Sequence, residues 1–383
     1  MKNIDHNYLP RQYEFTNELP INHNYLPQQF EDSEEAIDEI RKLVARGDFT
    51  LGNAVNEFEE EFKKIANSKY AIGVGSGTDA LFLSLKALGI KEGDEVITTP
   101  YTFYATIGAI VTAGATPKFV DIGHDYNIDP NLIEDSITPL TKAIVPVHWS
   151  GLICDMDSIR NIADMHKLSI VEDACHAINA TRDGITAGAM SDTACFSMHP
   201  LKNLNVWGDG GIIVTNNKKL HDKLVLLRNH GLRDRDTCDV FAYNSRLDTL
   251  QAIVGNHYIK KVEHITNMRI KNAHFYDEEF STLPQIKIPP RSSTIKQVFH
   301  LYCIRVSSRD DLQKYLIDNG IDAKIHYPTP MHLQPAAKDF GYSVGDFPFA
   351  ENVCKEVLSL PVHEFITEEQ MKFTVQKIKE FYS

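Results

Sequence analysis

Three short segments carry residue types whose order could do chemistry. The first is Gly73-Val74-Gly75-Ser76-Gly77-Thr78. A glycine turn followed by hydroxyl residues at a helix start presents free backbone N–H groups to an anion. A plain tight turn ending in an N-cap would use the same residues. The second is Leu168-Ser169-Ile170-Val171-Glu172-Asp173-Ala174-Cys175-His176, an apolar strand ending in acids. Such an end sets a carboxylate at the strand edge where open α/β sheets bind ligands. A structural ion pair would satisfy a buried carboxylate equally well. The third runs from Cys195 through Ser197, His199 and Lys202 to Asn203, followed by Gly208-Asp209-Gly210-Gly211. Its lysine lies in a turn between two strand-like runs and not on an amphipathic helix. A partly desolvated lysine there could form a Schiff base, whereas an ordinary lysine would simply be solvated. His199 reads either as a site residue or as a packing histidine.

Taken together, the three segments narrow the options. An anion cradle, a strand-end acid and a turn lysine in one chain meet the needs of pyridoxal 5'-phosphate. That cofactor requires a phosphate cup, a carboxylate opposite its ring nitrogen and an amine for its aldehyde. A nicotinamide enzyme fits poorly, because Thr78 stands where the G-x-G-x-x-G fingerprint needs its third glycine. The G-K-[ST] ending of a P-loop is missing as well.

The elements that must position these residues follow from periodicity. Phe58, Phe62 and Ile65 mark one helix face, and Leu81, Leu85 and Leu88 another, starting at Ser76-Gly77-Thr78. Strands are predicted at 70–75, 95–99, 116–122, 142–148, 168–172, 193–198 and 211–215. Helices are predicted at 104–113, 156–166 and 219–229, the last capped by Gly231. Strands alternating with helices predict an α/β fold with a mostly parallel sheet covered on both faces. A strand at 298–306, a helix at 309–319 and Tyr327-Pro328-Thr329-Pro330 suggest a smaller α+β C-terminal unit. The expected division is an extension over 1–31, a large α/β domain over 32–264 and a small domain over 265–383. Within the extension, His6-Asn7-Tyr8-Leu9-Pro10 recurs as His23-Asn24-Tyr25-Leu26-Pro27. Two copies are too few for a solenoid.

Composition bounds the rest. The 383 residues include 39 Lys+Arg and 52 Asp+Glu, a formal net charge of −13, which argues against a nonspecific nucleic-acid binder. Hydrophobic residues at 43% and charged residues at 24% exclude a wholly disordered chain. No run approaches a membrane span, and the N-terminus lacks the apolar core of a secretory signal. Six scattered cysteines without a C-x-x-C pair suggest neither a disulfide framework nor a zinc cage, and no metal is assigned. A cytoplasmic location is expected.

The order of motifs resembles the sugar aminotransferases of the DegT/StrS type, within the aspartate-aminotransferase superfamily. The motifs are Gly75-Ser76-Gly77-Thr78-Asp79-Ala80-Leu81, Pro100-Tyr101-Thr102-Phe103, Val171-Glu172-Asp173-Ala174 and Phe196-Ser197-Met198-His199-Pro200-Leu201-Lys202-Asn203. Gly208-Asp209-Gly210-Gly211, Tyr243 to Ala252 and His326-Tyr327-Pro328 complete the set. The resemblance implies a type I fold of pyridoxal-phosphate enzymes. It also implies that Lys202 is the Schiff-base lysine and proton shuttle, that Asp173 faces the ring nitrogen, and that His176 reaches the phenolic oxygen. Phe103 would stack on the ring, and Gly77, Thr78 and Ser197 would hold the phosphate. Asn244 and Arg246 would reach the phosphate from a second subunit, which implies a homodimer with shared sites. His326 and Tyr327 are candidates for the sugar pocket. The implied reaction moves an amino group from glutamate to a nucleotide-linked keto-sugar, for amino-sugar or surface-glycan synthesis. The wording Asn244-Ser245-Arg246-Leu247-Asp248 is closer to the branch that aminates carbon 3. Two alternatives remain: a pyridoxal-phosphate sugar dehydratase or lyase, which in this family carries His in place of the lysine, and a regulator of the same fold without catalysis.

Overall fold

The computed structural model describes residues 21–24 and 26–383. The first copy of the repeated pentapeptide therefore lies outside the described residues.

Five β-branched or apolar runs build the parallel part of the main sheet: β2 Glu95–Thr98, β3 Thr116–Phe119, β4 Thr141–Ile144, β5 Ser169–Asp173 and β8 Thr193–Ser197. Two more, β1 Tyr70–Val74 and β9 Gly211–Thr215, complete seven strands in the order β1-β9-β8-β5-β4-β2-β3. Only β9 runs against the others, pairing antiparallel with both β1 and β8. Alternation along the strands feeds two cores. Ile170, Ala194, Phe196, Ile212 and Val214 join one, while Val171, Cys195, Ile213, Ile72 and Val74 join the other. Both faces are thus buried, as near-continuous apolar strands require.

Two short hairpin strands, β6 Thr181–Arg182 and β7 Ile185–Thr186, pair with β11 Ile295–Lys296. A second antiparallel sheet contains β10 Ile286–Lys287, β12 Tyr302–Val306 and β13 Val357–Leu360. It has its own core, which includes Tyr276, Phe280, Ile304, Leu312, Leu358 and Ile378.

The predicted elements are present with shifted ends. The run 142–148 pairs as a strand only through Ile144; beyond it Val147 makes a single bridge to Asp173. The run 298–306 becomes a strand only at Tyr302, after a positive φ of 44° at Phe299. The helix expected over 219–229 spans Lys218–Leu227 and is capped by Arg228. Gly231 serves another need. A Cβ there would sit 1.5 Å from the Val240 carbonyl oxygen, at a φ of 73°, so the close chain crossing demands glycine. The expected junction at 264/265 falls inside one continuous helix, Val262–Phe280. Its first residue, Val262, belongs to the large core, and Ala273, Tyr276 and Phe280 belong to the small one. Within the extension expected over 1–31, Ile21, Leu26 and Gln29 are buried, and Ile21 is bridged to Ile321.

Candidate active site

The site gathers at the carboxyl ends of the parallel strands. Asp173 is the last residue of β5 and Ser197 the last of β8, two strands that pair in parallel with Asp173 beside Cys195. Asp173 is 5% exposed, and burial without donors would be costly. Its Oδ2 accepts a hydrogen bond from the Thr106 hydroxyl at 2.8 Å, and its Oδ1 accepts the Cys175 N–H at 3.2 Å. Thr106, in the first turn of the helix Tyr104–Thr112, is in turn paired with Thr102 just before that helix at 2.7 Å. On the opposite face of the same strand, Glu172 bonds the His148 ring at 2.7 Å and accepts the Gly188 N–H at 2.8 Å. Burial pushes the Glu172 carboxyl up, but these partners outweigh it and hold it below its ordinary value.

The anion cradle is tight because two backbones touch. Ser76 is the N-cap of helix Gly77–Ala87 and accepts the Asp79 N–H at 3.0 Å. A Cβ on Gly77 would fall 2.6 Å from the Ser197 Cβ, and one on Gly211 would fall 2.2 Å from the Ser76 oxygen. Glycine at both positions lets the helix start, β8 and β9 converge. Gly77, Thr78 and Ser197 therefore share one corner, with Thr78 exposed on its rim.

Lys202 follows β8 in a turn fixed by its own N–H bonding the His199 carbonyl at 2.8 Å. Burial draws its amine below the ordinary lysine value, while the nearby Cys175 and Asp173 oppose the shift. His176 lies beside it. Its ring stands 5.4 Å from that of Trp149 and 4.3 Å from that of His300. Burial drives both histidines well below their usual range, reinforced by Lys202 at His176 and by His176 and then Lys202 at His300. The Nδ1 atoms of His176 and His300 are buried without a hydrogen-bond partner.

Aromatic rings form the open wall. Phe103 is 47% exposed and lies 5.8 Å from the ring of Tyr327, which also contacts Tyr104 and Trp149. His326 is tied down by Ser359 at 2.9 Å, and its carbonyl accepts the Tyr101 hydroxyl at 2.5 Å. Asn244 and Arg246 lie apart from this wall. Their segment bridges to Asn229 and Val74 of the same chain, and the Arg246 guanidinium bonds Asn229 at 3.1 Å. Sequence reasoning passed over Thr106, Trp149 and His300. Nothing local marked Trp149 or His300, which arrive from separate loops.

This chemistry fits pyridoxal phosphate. A glycine cradle that a Cβ would fill, an unpartnered Nδ1 on His176, a buried carboxylate and a lysine drawn toward its free-amine form match the cofactor's four polar handles. The fold and site define a type I pyridoxal-phosphate enzyme. Comparisons with known proteins narrow this class. The sequence profile of the DegT/DnrJ/EryC1/StrS aminotransferase family matches residues 31–379. The chain is 42% identical over 337 residues to the "Pleiotropic regulatory protein" of Geobacillus stearothermophilus, covering 87% of this chain and 91% of that one. It is 38% identical over 343 residues to the dTDP-3-amino-3,4,6-trideoxy-alpha-D-glucose transaminase of Streptomyces venezuelae, covering 89% and 90%. The crystal structure of S. venezuelae DesV in complex with a ketimine intermediate superposes with a TM-score of 0.92 at 37% identity, covering 94% and 98%. The chain belongs to the DegT/DnrJ/EryC1/StrS aminotransferase family. It is an aminotransferase that uses pyridoxal 5'-phosphate. No helix among the described residues is long and apolar enough to cross a membrane.

Proposed function

We propose that this enzyme transfers an amino group from glutamate to carbon 3 of a nucleotide-linked 6-deoxy keto-sugar, supplying an amino sugar for surface-glycan synthesis. The observation that carries the reading is Lys202, half-buried at the strand ends, its amine drawn down by burial and flanked by Asp173. Bound pyridoxal phosphate supplies an electron sink for the carbanion formed on the substrate carbon. The protein's residues do the rest. Lys202 Nζ accepts the α-proton of glutamate in one half-reaction and returns a proton to the sugar carbon in the other. Asp173, held by Thr106 and the Cys175 N–H, keeps a positive charge on the cofactor ring nitrogen favourable. His176 offers its unpartnered Nδ1 to the phenolic oxygen, and Gly77, Thr78 and Ser197 receive the phosphate. Phe103 covers the ring, while His326 and Tyr327 face the sugar.

The reading includes a homodimer in which Asn244 and Arg246 of each chain serve the other's phosphate site, and a cytoplasmic location. It also includes two domains, 32–264 and 265–383, joined through the helix Val262–Phe280, with 1–31 preceding them. A regulatory role is suggested by one relative's name. Retention of Lys202 together with Asp173 favours catalysis, because a regulator has no use for that pairing. The test is to incubate purified holoenzyme with glutamate and a panel of 3-keto and 4-keto nucleotide sugars, and to read amino products by mass spectrometry. A glutamate-dependent amino product from a 3-keto substrate is expected. Sugar turnover that needs no amino donor would instead establish a dehydratase or lyase.

A further inference from the structure

The N-terminal repeat is longer than its pentapeptide core. Residues 4–14 read Ile-Asp-His-Asn-Tyr-Leu-Pro-Arg-Gln-Tyr-Glu and residues 21–31 read Ile-Asn-His-Asn-Tyr-Leu-Pro-Gln-Gln-Phe-Glu, identical at 8 of 11 positions. The second copy occupies a defined seat that crosses from the small sheet to the active-site turn. Ile21 is 3% exposed, its N–H bonds the Gly320 carbonyl at 3.1 Å, and its carbonyl accepts the Asp322 N–H at 2.9 Å. The His23 N–H bonds Asp322 Oδ2 at 3.3 Å, and its ring lies 5.6 Å from that of His326. Leu26 is buried. Gln29 and Asn205 exchange side-chain amide bonds at 3.2 and 2.9 Å, and Asn205 also binds the carbonyls of Pro200 and Lys202. Phe30 packs edge-on against Trp207 and Tyr258.

Each described side chain that the seat grips has its counterpart in the first copy. Ile21 matches Ile4, His23 matches His6, Leu26 matches Leu9, Gln29 matches Gln12, and Phe30 matches the aromatic Tyr13. The backbone bonds at Ile21 and His23 are indifferent to side-chain identity. We propose that residues 4–14 are an alternative occupant of this seat within the same chain, displaced by 17 residues, with 15–31 looping out. The entropy of closing such a loop grows only with the logarithm of its length. The seat accordingly accepts either copy, and the Asn205 brace on the Lys202 turn is kept in both registers.

Two experiments test this. Deleting residues 15–31 joins Glu14 directly to Asp32 and places the first copy in the resident register. The holoenzyme of that variant should keep its thermal midpoint and stay within about twofold of full-length activity, since the lost and gained contacts match one for one. A chain lacking residues 1–31 is the empty-seat reference, expected to lose about tenfold. A variant lacking 15–31 that is as impaired as the reference overturns the proposal. In the full chain, Ile21→Asn/Leu26→Ser unseats the second copy. Carrying Tyr13→benzoylphenylalanine in that background, irradiation should attach position 13 to the peptides holding Trp207 or Tyr258, at the mass of a single chain on a denaturing gel. No adduct at those peptides, or an adduct joining two chains, overturns the intrachain exchange.

Discussion

At the residue scale the decisive quantity is the protonation of Lys202. Burial lowers its folded pKa below the ordinary value of about 10.4. Between the two values the unfolded chain binds the extra proton, so stability of the cofactor-free protein rises with pH across that window. The same shift is readable chemically. Labelling of Lys202 by an amine reagent in the cofactor-free protein should rise with pH in a limb below about 10.4. Because the Asp173 carboxylate favours the ammonium form, Asp173→Asn should move that limb to still lower pH. A limb that stays put on this substitution would separate the two residues. Lys202→Ala removes the proton shuttle, and amino transfer should fall by roughly 10³-fold, within the usual contribution of acid–base catalysis. Thr106→Val strips one donor from buried Asp173, and a loss of about five- to tenfold in turnover is expected together with about 1–3 kcal/mol of stability.

At the scale of elements, the site depends on backbones that touch. Gly77→Ala forces a Cβ to within 2.6 Å of Ser197 Cβ, and the two elements must separate. Cofactor affinity measured by titration should drop, with about 1–3 kcal/mol lost in stability. Behind the same sheet, the His148–Glu172 pair is almost wholly buried, so Glu172→Gln, which disturbs the hydrogen bonds to His148 and Gly188, should destabilise by about 1–3 kcal/mol. Since Glu172 is held below its unfolded value, its contribution is present above that value and fades as pH falls through the folded one. The variant should therefore show a shallower acid limb in its unfolding midpoint than the parent. These contacts mark how far the sequence could be read. Ser76-Gly77-Thr78 and the acid ending β5 were legible because strand and helix periods place them locally. His176 was legible, but Trp149 and His300 beside it were not, because His300 joins it from a loop more than a hundred residues later and Trp149 from a separate turn. The end of β4 was missed for a local reason: Val145 to His148 stay bonded to Ile97 and Asp173, but Pro146 has no N–H and interrupts the regular ladder.

For the whole molecule, the open question of mechanism is where Arg246 acts. In the single chain it is anchored to Asn229 and its backbone bridges to Val74, close to the start of the helix that caps the cradle. Nearby, Phe241 is 99% exposed and Val240 and Tyr243 are also exposed, an apolar edge that is costly to leave in water. A two-fold interface over this edge would bury it and carry Asn244 and Arg246 to the neighbouring site. Mixed dimers distinguish the two geometries. In a dimer of a Lys202→Ala chain with an Arg246→Ala chain, a shared site assembles one intact lysine with one intact arginine. The other site loses both. Random reassortment makes about half of the dimers mixed, each with one good site of two, so roughly a quarter of wild-type activity should return from two poorly active parents. If Arg246 serves its own chain, every Lys202 in the mixture remains beside an alanine at 246. Activity would then stay at the mean of the parents, and the Phe241 edge would need another partner.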